Sequence, residues 1–263
     1  MKTAVIQLSA GSNKKENIAK AISLVKQAIG EKAEFIALPE VFPFRGRVKE
    51  SLSSLVEDVP GESIGPLQEL AKKHQVFILA GSIYEKGLGK GKAYNTSILI
   101  NARGEIAAAY RKINLFDLEL GEKKIKESEY FVAGQKTVTA RVKDFSVGLS
   151  VCYDIRFPNL YQEYSRQGIE VICAPSAFTY ETGKAHWKTL LRARAIENLC
   201  YVIAPNQCGG QGDITRCYGH SLIIGPWGDI LAEASEDKEE IIFADLNKDV
   251  LLEKRKILPS LRK

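Results

Sequence analysis

Residues Phe145–Pro158 read F-S-V-G-L-S-V-C-Y-D-I-R-F-P, and the fold turns on how that stretch divides. Phe145, Val147, Leu149 and Val151 recur at strict period two, while Ser146, Gly148 and Ser150 between them are small. Successive side chains of a strand point to opposite faces, so the pattern predicts a strand with one apolar and one small-residue face. Y-D-I-R-F-P breaks the alternation, and Pro158 suits the first turn of a helix. Cys152 then falls at a strand-to-helix turn, close to the N–H groups of a helix start. That position predicts a lowered thiol pKa and a reactive thiolate, so Cys152 reads as a nucleophile.

On either side of this unit, short apolar strands alternate with amphipathic helices. Lys2–Leu8 is a first strand; Asn13 with Glu16 three residues on resembles a capping box, opening a helix whose face carries Ile18, Ile22, Val25 and Ile29. Glu34–Leu38 is apolar on both faces and predicts a buried strand. A helix over Ser63–His74 precedes a strand over Val76–Ile83. Gly87–Gly91 reads as a hairpin tip rather than a phosphate loop, since no lysine–serine pair follows it. Tyr94–Ile100 and Ile106–Arg111 are strands, and the charged stretch Asp117–Glu129 reads as a surface loop. Beyond Cys152 come a helix near Asn159–Gln167, a strand at Glu170–Ala174 and a long helix from about Lys184 to Asn198. Strands at Tyr201–Pro205, Ser221–Ile224, Ile230–Ala234 and Ile241–Asp245 lead to a helix near Lys248–Lys256. No linker or repeat divides the chain, so 1–263 reads as one α/β domain.

The chain has 263 residues, 45% of them hydrophobic and 26% charged, with a net charge of +5 spread along its length. The basic cluster Lys254–Lys256 with Arg262 and Lys263 reads as a solvated helix end, so a nucleic-acid role is not expected. Cys152, Cys173, Cys200, Cys208 and Cys217 form no CxxC pair or metal-like spacing. Their odd number favours a reducing compartment, and Cys173 and Cys200 read as small core hydrophobes. With no room for a signal peptide and no run of roughly 20 apolar residues, the expectation is a cytoplasmic protein without a membrane segment.

A nucleophilic cysteine needs a base. His74, His186 and His220 are the available histidines, each as compatible with a structural role. Glu40, in L-P-E-V-F-P-F, sits at the mouth of the buried strand ringed by Val41, Phe42 and Phe44. Desolvation there would raise its pKa and make it a base, although Pro39 equally permits a surface turn. Lys112, in Y-R-K-I-N-L-F-D, closes a strand as an oxyanion stabiliser or as a solvated strand end.

L-P-E-V-F, Y-R-K-I-N-L-F-D and S-V-C-Y-D-I-R-F-P, in this order, resemble the three motifs of the nitrilase (carbon–nitrogen hydrolase) superfamily. The likeness continues through P-S-A-F-T-Y-E-T-G-K-A-H-W, L-R-A-R-A-I-E-N and Y-G-H-S-L-I-I-G-P-W-G. It implies a four-layer α-β-β-α sandwich and a Glu–Lys–Cys triad of Glu40 as general base, Lys112 as oxyanion stabiliser and Cys152 as nucleophile. The backbone N–H of Tyr153 joins Lys112 at the oxyanion, and Glu127, with Glu129 as rival, supplies a second, positioning glutamate. A thioester mechanism of this kind needs no metal or organic cofactor. The chain departs from the family pattern at Asn114, where a histidine is common.

Within the superfamily the C-terminal motifs look most like the branch of deaminated-glutathione amidases and ω-amidases. There Arg156 would meet a substrate carboxylate, a geometry that a bidentate guanidinium fits. Phe178 and Thr182 would line the pocket; read alone they are equally a core aromatic and a helix N-cap region. The resemblance implies hydrolysis of deaminated glutathione to 2-oxoglutarate and cysteinylglycine, with ω-amidase action on 2-oxoglutaramate or 2-oxosuccinamate as the alternative. A non-catalytic scaffold or thiol sensor and a Cys–His hydrolase through His186 are readings of other classes. A homodimer or dimer-based oligomer is also implied, paired through helices near the nucleophile, with the tail at about 247–263 able to pack on the partner.

Overall fold

The computed structural model describes residues 1–46, 48–87, 91–120, 123–210 and 214–259. Its first half contains β1 (Lys2–Gln7), α1 (Lys14–Gly30), β2 (Phe35–Ala37), α2 (Val48–Leu55), α3 (Gly65–His74), β3 (Phe77–Leu79), β4 (Ile83–Lys86), β5 (Ala93–Ile100) and β6 (Ile106–Arg111). A hairpin of β7 (Asp117–Leu120) and β8 (Lys123–Lys126) follows, then β9 (Thr139–Val142) and β10 (Phe145–Leu149). The second half runs α4 (Pro158–Arg166), β11 (Val171–Cys173), α5 (Tyr180–Asn198), β12 (Tyr201–Ala204), β13 (Cys208–Gly209) and β14 (Cys217–Tyr218). It ends with β15 (Leu222–Ile224), β16 (Ile230–Glu233), β17 (Glu240–Asp245) and α6 (Lys248–Ile257).

Two large sheets result. One has the order β17-β1-β2-β3-β5-β4, with β6 also paired to β5; the other runs β16-β15-β12-β11-β10-β9. In both, the central strands β1-β2-β3 and β10-β11-β12 are parallel and the edges antiparallel. The period-two pattern assigns every face. Ala4, Ile6, Ile36 and Ile78 pack against α1 and α3, whereas Val5, Phe35, Ala37 and Leu79 meet Phe145, Val147, Leu149 and Ile203 of the opposite sheet. Val202, Ala204, Leu222 and Ile224 face α4 and α5 through Tyr161, Tyr164, Trp187 and Leu191. These three apolar seams between four layers make the expected α-β-β-α sandwich.

The small face of β10 has a steric cause. A Cβ on Gly148 would lie 2.9 Å from the Tyr164 ring of α4, so the helix reaches its packing distance only over a residue without a side chain. Cys173 and Cys200 are fully buried, as expected.

Four expectations are corrected. The strand expected over Val76–Ile83 is two strands, broken at Gly81, where φ is +36° and a Cβ would stand 1.8 Å from the Pro39 carbonyl oxygen. Within the stretch Asp117–Glu129, expected to be a surface loop, β7 and β8 pair antiparallel and Glu127–Glu129 forms a 3₁₀ turn. The long helix begins at Tyr180, a turn before Lys184. The basic end is only partly solvated, because Arg255 donates to the carbonyls of Leu199 and Ile169. The tip of the expected hairpin at Gly87–Gly91 includes residues outside those described, but β4 and β5 on either side pair antiparallel. The extreme tail, 260–263, also lies outside them.

Candidate active site

The chain leaves β10 through Ser150, whose N–H and Oγ both donate to the Cys173 carbonyl, at 2.9 and 2.8 Å. Cys152 then adopts a left-handed φ of +46°, with its N–H 3.0 Å from the Pro175 oxygen. A Cβ-bearing residue there costs on the order of 1 kcal/mol, offset by these anchors, and the kink turns the thiol out of the sheet. A single 3₁₀ turn, Cys152–Arg156, precedes α4.

Asp154 locks this elbow. Fully buried, it accepts from Tyr110 Oη at 2.8 Å and Val151 N at 2.9 Å on one oxygen. The other accepts from Asn114 N at 2.9 Å and Asn114 Nδ2 at 2.8 Å. Burial pushes the Asp154 carboxyl up, against the pull of its four donors. Asn114, the departure from the family pattern, thus ties the segment after Lys112 to the turn at Cys152. The sequence signal for Asp154 is a carboxylate two residues after the nucleophile, whose donors lie too far away in sequence to be seen with it.

Glu40 follows β2, where Pro39 removes a ladder donor and Gly81 permits the close crossing. Val41, at φ +46°, is held by its N–H donating to Ser82 Oγ at 3.0 Å. Only 3% exposed, Glu40 accepts on Oε1 from Asn95 Nδ2 at 2.8 Å and Lys112 Nζ at 3.0 Å. Its Oε2 accepts from Ala177 N at 2.8 Å. Lys112, just past β6, is 1% exposed, with its backbone N–H donating to the Asn95 carbonyl at 2.8 Å. Its ammonium also reaches Glu127 at 2.9 Å. Glu127 receives Phe116 N on its other oxygen at 2.8 Å, whereas Glu129 is exposed to solvent. The contact to Lys112 therefore belongs to Glu127.

Charge sets the protonation states. Burial works against the Lys112 ammonium, but Glu127 and Glu40 outweigh it and hold the group charged, well above its usual range. The thiol departs from expectation. Burial first, and the Glu40 carboxylate second, push Cys152 well above the ordinary thiol value, with Lys112 and the Ala177 N–H pulling the other way. The α4 start lies at Pro158, too far along to compete with an adjacent carboxylate. Cys152 therefore rests as a neutral thiol that must pass its proton to a base before attacking.

Around these groups is a pocket of about 200 Å³ lined by Glu40, Lys112, Glu127, Cys152, Tyr153 and Arg156, with Phe178 and Thr182 also on its wall. The Tyr153 N–H has no backbone acceptor among the described residues. Arg156 lies over the rings of Phe178 and Tyr153, 5.1 and 5.7 Å from their centroids, and pairs with no carboxylate among the described residues. Phe178 packs on Trp187, and Thr182 Oγ1 is 2.7 Å from Thr179 Oγ1 at the start of α5, so each also fills its structural part. Among the described residues no histidine lines the pocket: His74 is exposed, His186 lies 3.2 Å from Arg156 Nη1, and His220 pairs with Glu233 at 2.7 Å. Sequence reasoning missed Asn95, Tyr84 and Arg45, which also line the pocket. Among the described residues no group of three or more His, Cys, Asp or Glu side chains could hold a metal ion.

The family profile described as carbon-nitrogen hydrolase matches residues 2–256. A deaminated glutathione amidase of Synechocystis is 43% identical over 263 residues, covering 98% of this chain and 96% of that one. "Nitrilase homolog 2" of Dictyostelium discoideum is 38% identical over 98% of this chain and 78% of its own. The crystal structure of Saccharomyces cerevisiae Nit3, described as a member of branch 10 of the nitrilase superfamily, superposes with a TM-score of 0.89 at 32% identity, covering 100% of this chain and 96% of that one.

Proposed function

The chain belongs to the carbon–nitrogen hydrolase family, and from that premise we propose that this amidase cleaves deaminated glutathione into 2-oxoglutarate and cysteinylglycine. The observation that carries the reading is the joining of Glu40, Lys112 and Cys152 in one pocket whose wall bears Arg156, a guanidinium without a carboxylate partner among the described residues. Arg156 receives the 2-oxo acid carboxylate, between Tyr153 and Phe178, with Thr182 on the same wall. Cys152 passes its proton to Glu40 as Sγ bonds to the amide carbon. Lys112 and the Tyr153 N–H hold the oxyanion, and Glu127 keeps the ammonium in place. Such donors typically contribute a few kcal/mol each to lowering the barrier. As the C–N bond breaks, Glu40 returns the proton to the departing amine. Water then gives Glu40 a proton and attacks the thioester, releasing the carboxylate and the free thiol.

Purified enzyme is expected to show at least a tenfold higher kcat/KM for deaminated glutathione than for 2-oxoglutaramate, about 1.4 kcal/mol of discrimination. Faster turnover of 2-oxoglutaramate would replace this reading by ω-amidase action. The same proposal includes a reducing, cytoplasmic setting, supported by five free cysteines and by the absence, among the described residues, of any helix long and apolar enough to cross a membrane. It also includes a homodimer, supported by exposed Ile196 on α5, Trp227 and Leu252 on α6. Sedimentation at micromolar concentration is expected to give twice the chain mass of 29.1 kDa, and the monomer mass would remove that part.

A further inference from the structure

Beside Arg156 and Lys112, the pocket is lined by a third basic group, Arg45. Among the described residues five charged side chains line it: carboxylates Glu40 and Glu127, and cations Lys112, Arg45 and Arg156. Lys112 is committed to the two carboxylates and Arg156 stands beside the nucleophile, which leaves Arg45. Arg45 is 6% exposed, and its partners among the described residues are the neutral carbonyls of Cys208, at 3.3 Å, and Thr215. A buried guanidinium carries five donors and strongly prefers an anion.

Tyr84 of β4 stands on the same wall. Its ring packs on Phe131, 5.0 Å between centroids, and the residue lines the same pocket as Arg45 and the catalytic groups. Burial first, and the nearby charges of Glu127 and Glu40 second, keep the phenol protonated; Lys112 and Arg45 act on it in the opposite sense. Tyr84 thus shares the pocket wall with the catalytic groups and Arg45, as a neutral donor.

Chemistry says which half of an amide reaches this wall. The acyl half is bonded to Cys152 in the intermediate, and Arg156 lies four residues from that sulfur. The amine half must sit where Glu40 can protonate its nitrogen. Arg45 follows Glu40 by five residues and, like Tyr84, lines the pocket with it, which supports a place for this wall on the leaving-group side. We propose that Arg45 and Tyr84 form a leaving-group subsite that binds the carboxylate-bearing, peptide-like amine half of the substrate and so selects extended secondary amides over primary amides. This rests on the triad and acyl-side assignments above. Among the described residues three cations against two carboxylates leave the lining one positive charge in excess, which suits an amide carrying a carboxylate at each end.

The test compares two amides sharing the 2-oxoglutaryl half: deaminated glutathione and 2-oxoglutaramate, which releases only ammonia. Tyr84→Phe removes one oxygen and leaves the ring on Phe131. It is expected to lower kcat/KM for the peptide amide roughly tenfold more than for the primary amide, chiefly through KM, as loss of one hydrogen bond to a charged group requires. Arg45→Met is expected to widen that ratio, and Arg45→Lys to restore part of it, with melting temperature checked because Arg45 also holds the Cys208 and Thr215 carbonyls. Equal losses on both amides in Tyr84→Phe, or no change on either, would overturn the subsite. The ratio is read whichever amide the parent enzyme prefers, so a failure of the substrate reading, seen in the parent alone, is distinct from a failure of the subsite.

Discussion

Cys152→Ala is expected to lower amide turnover by at least roughly 10⁴-fold while its stability stays within about 1 kcal/mol of the parent. The two halves of this result have different origins. Only the sulfur can form the thioester, so its loss removes the covalent path rather than slowing it. The thiol is also neutral at rest, because burial and Glu40 hold its proton on. Its removal therefore leaves no orphaned charge, and the contacts of Lys112 with Glu40 and Glu127 persist. Alanine keeps the Cβ at the left-handed position and adds no new strain. Turnover is measured on the 2-oxo acid amides and stability by urea unfolding. Retained turnover in this variant would establish a nucleophile elsewhere and end the assignment; His186→Ala, by contrast, should keep turnover.

Lys112→Met should be the most destabilising single change in the site, costing about 3–5 kcal/mol near neutral pH and at least roughly 10²-fold in turnover. Methionine fills most of the volume, so little of the loss is packing. The cause is electrostatic: Glu40 and Glu127, with side chains 4% and 19% exposed, would face each other without the ammonium that lies 3.0 and 2.9 Å from them. The sign with pH follows from Glu127, which burial first and Glu40 next hold above the usual carboxylate range despite Lys112. A carboxyl with its native pKa above the unfolded value favours folding below the unfolded value and costs stability as pH rises through the native one. Without the ammonium that cost grows, so the deficit against the parent should be large at about pH 7.5 and shrink toward about pH 5. Urea unfolding at the two pH values reads it. A deficit independent of pH would mean the lysine acts through packing, contrary to the geometry described.

What the sequence made legible followed from local pattern. Period-two alternation in Phe145–Val151 and the doubly apolar Glu34–Leu38 gave the strands their faces, and those faces alone stack the four layers. Asn13 caps α1 as its spacing predicts, accepting from Glu16 N and donating to Glu16 Oε1. The triad residues were individually visible, yet nothing local joined them; Glu40 and Lys112 are 72 positions apart, and only the motif resemblance linked them. Groups that act through long-range pairing stayed hidden. Asp154 gathers donors from Tyr110 and Asn114, some 40 positions earlier, and Asn95 reaches Glu40 across 55. The thiol's protonation state was misread because a helix start is visible in sequence and a facing carboxylate is not. The hairpin β7–β8 is hidden because charged residues dominate both strands, and Glu127, which reaches Lys112, follows directly on β8.

The central claim is that amide cleavage passes through a thioester on Cys152. Rapid acid quench of the parent enzyme mixed with excess deaminated glutathione, followed by mass spectrometry of the digested protein, tests it directly. The prediction is a mass gain equal to the 2-oxoglutaryl group on the peptide carrying Cys152, appearing before 2-oxoglutarate accumulates and absent in Cys152→Ala. Turnover with no acylated peptide, or with the acyl group on any other residue, would contradict it.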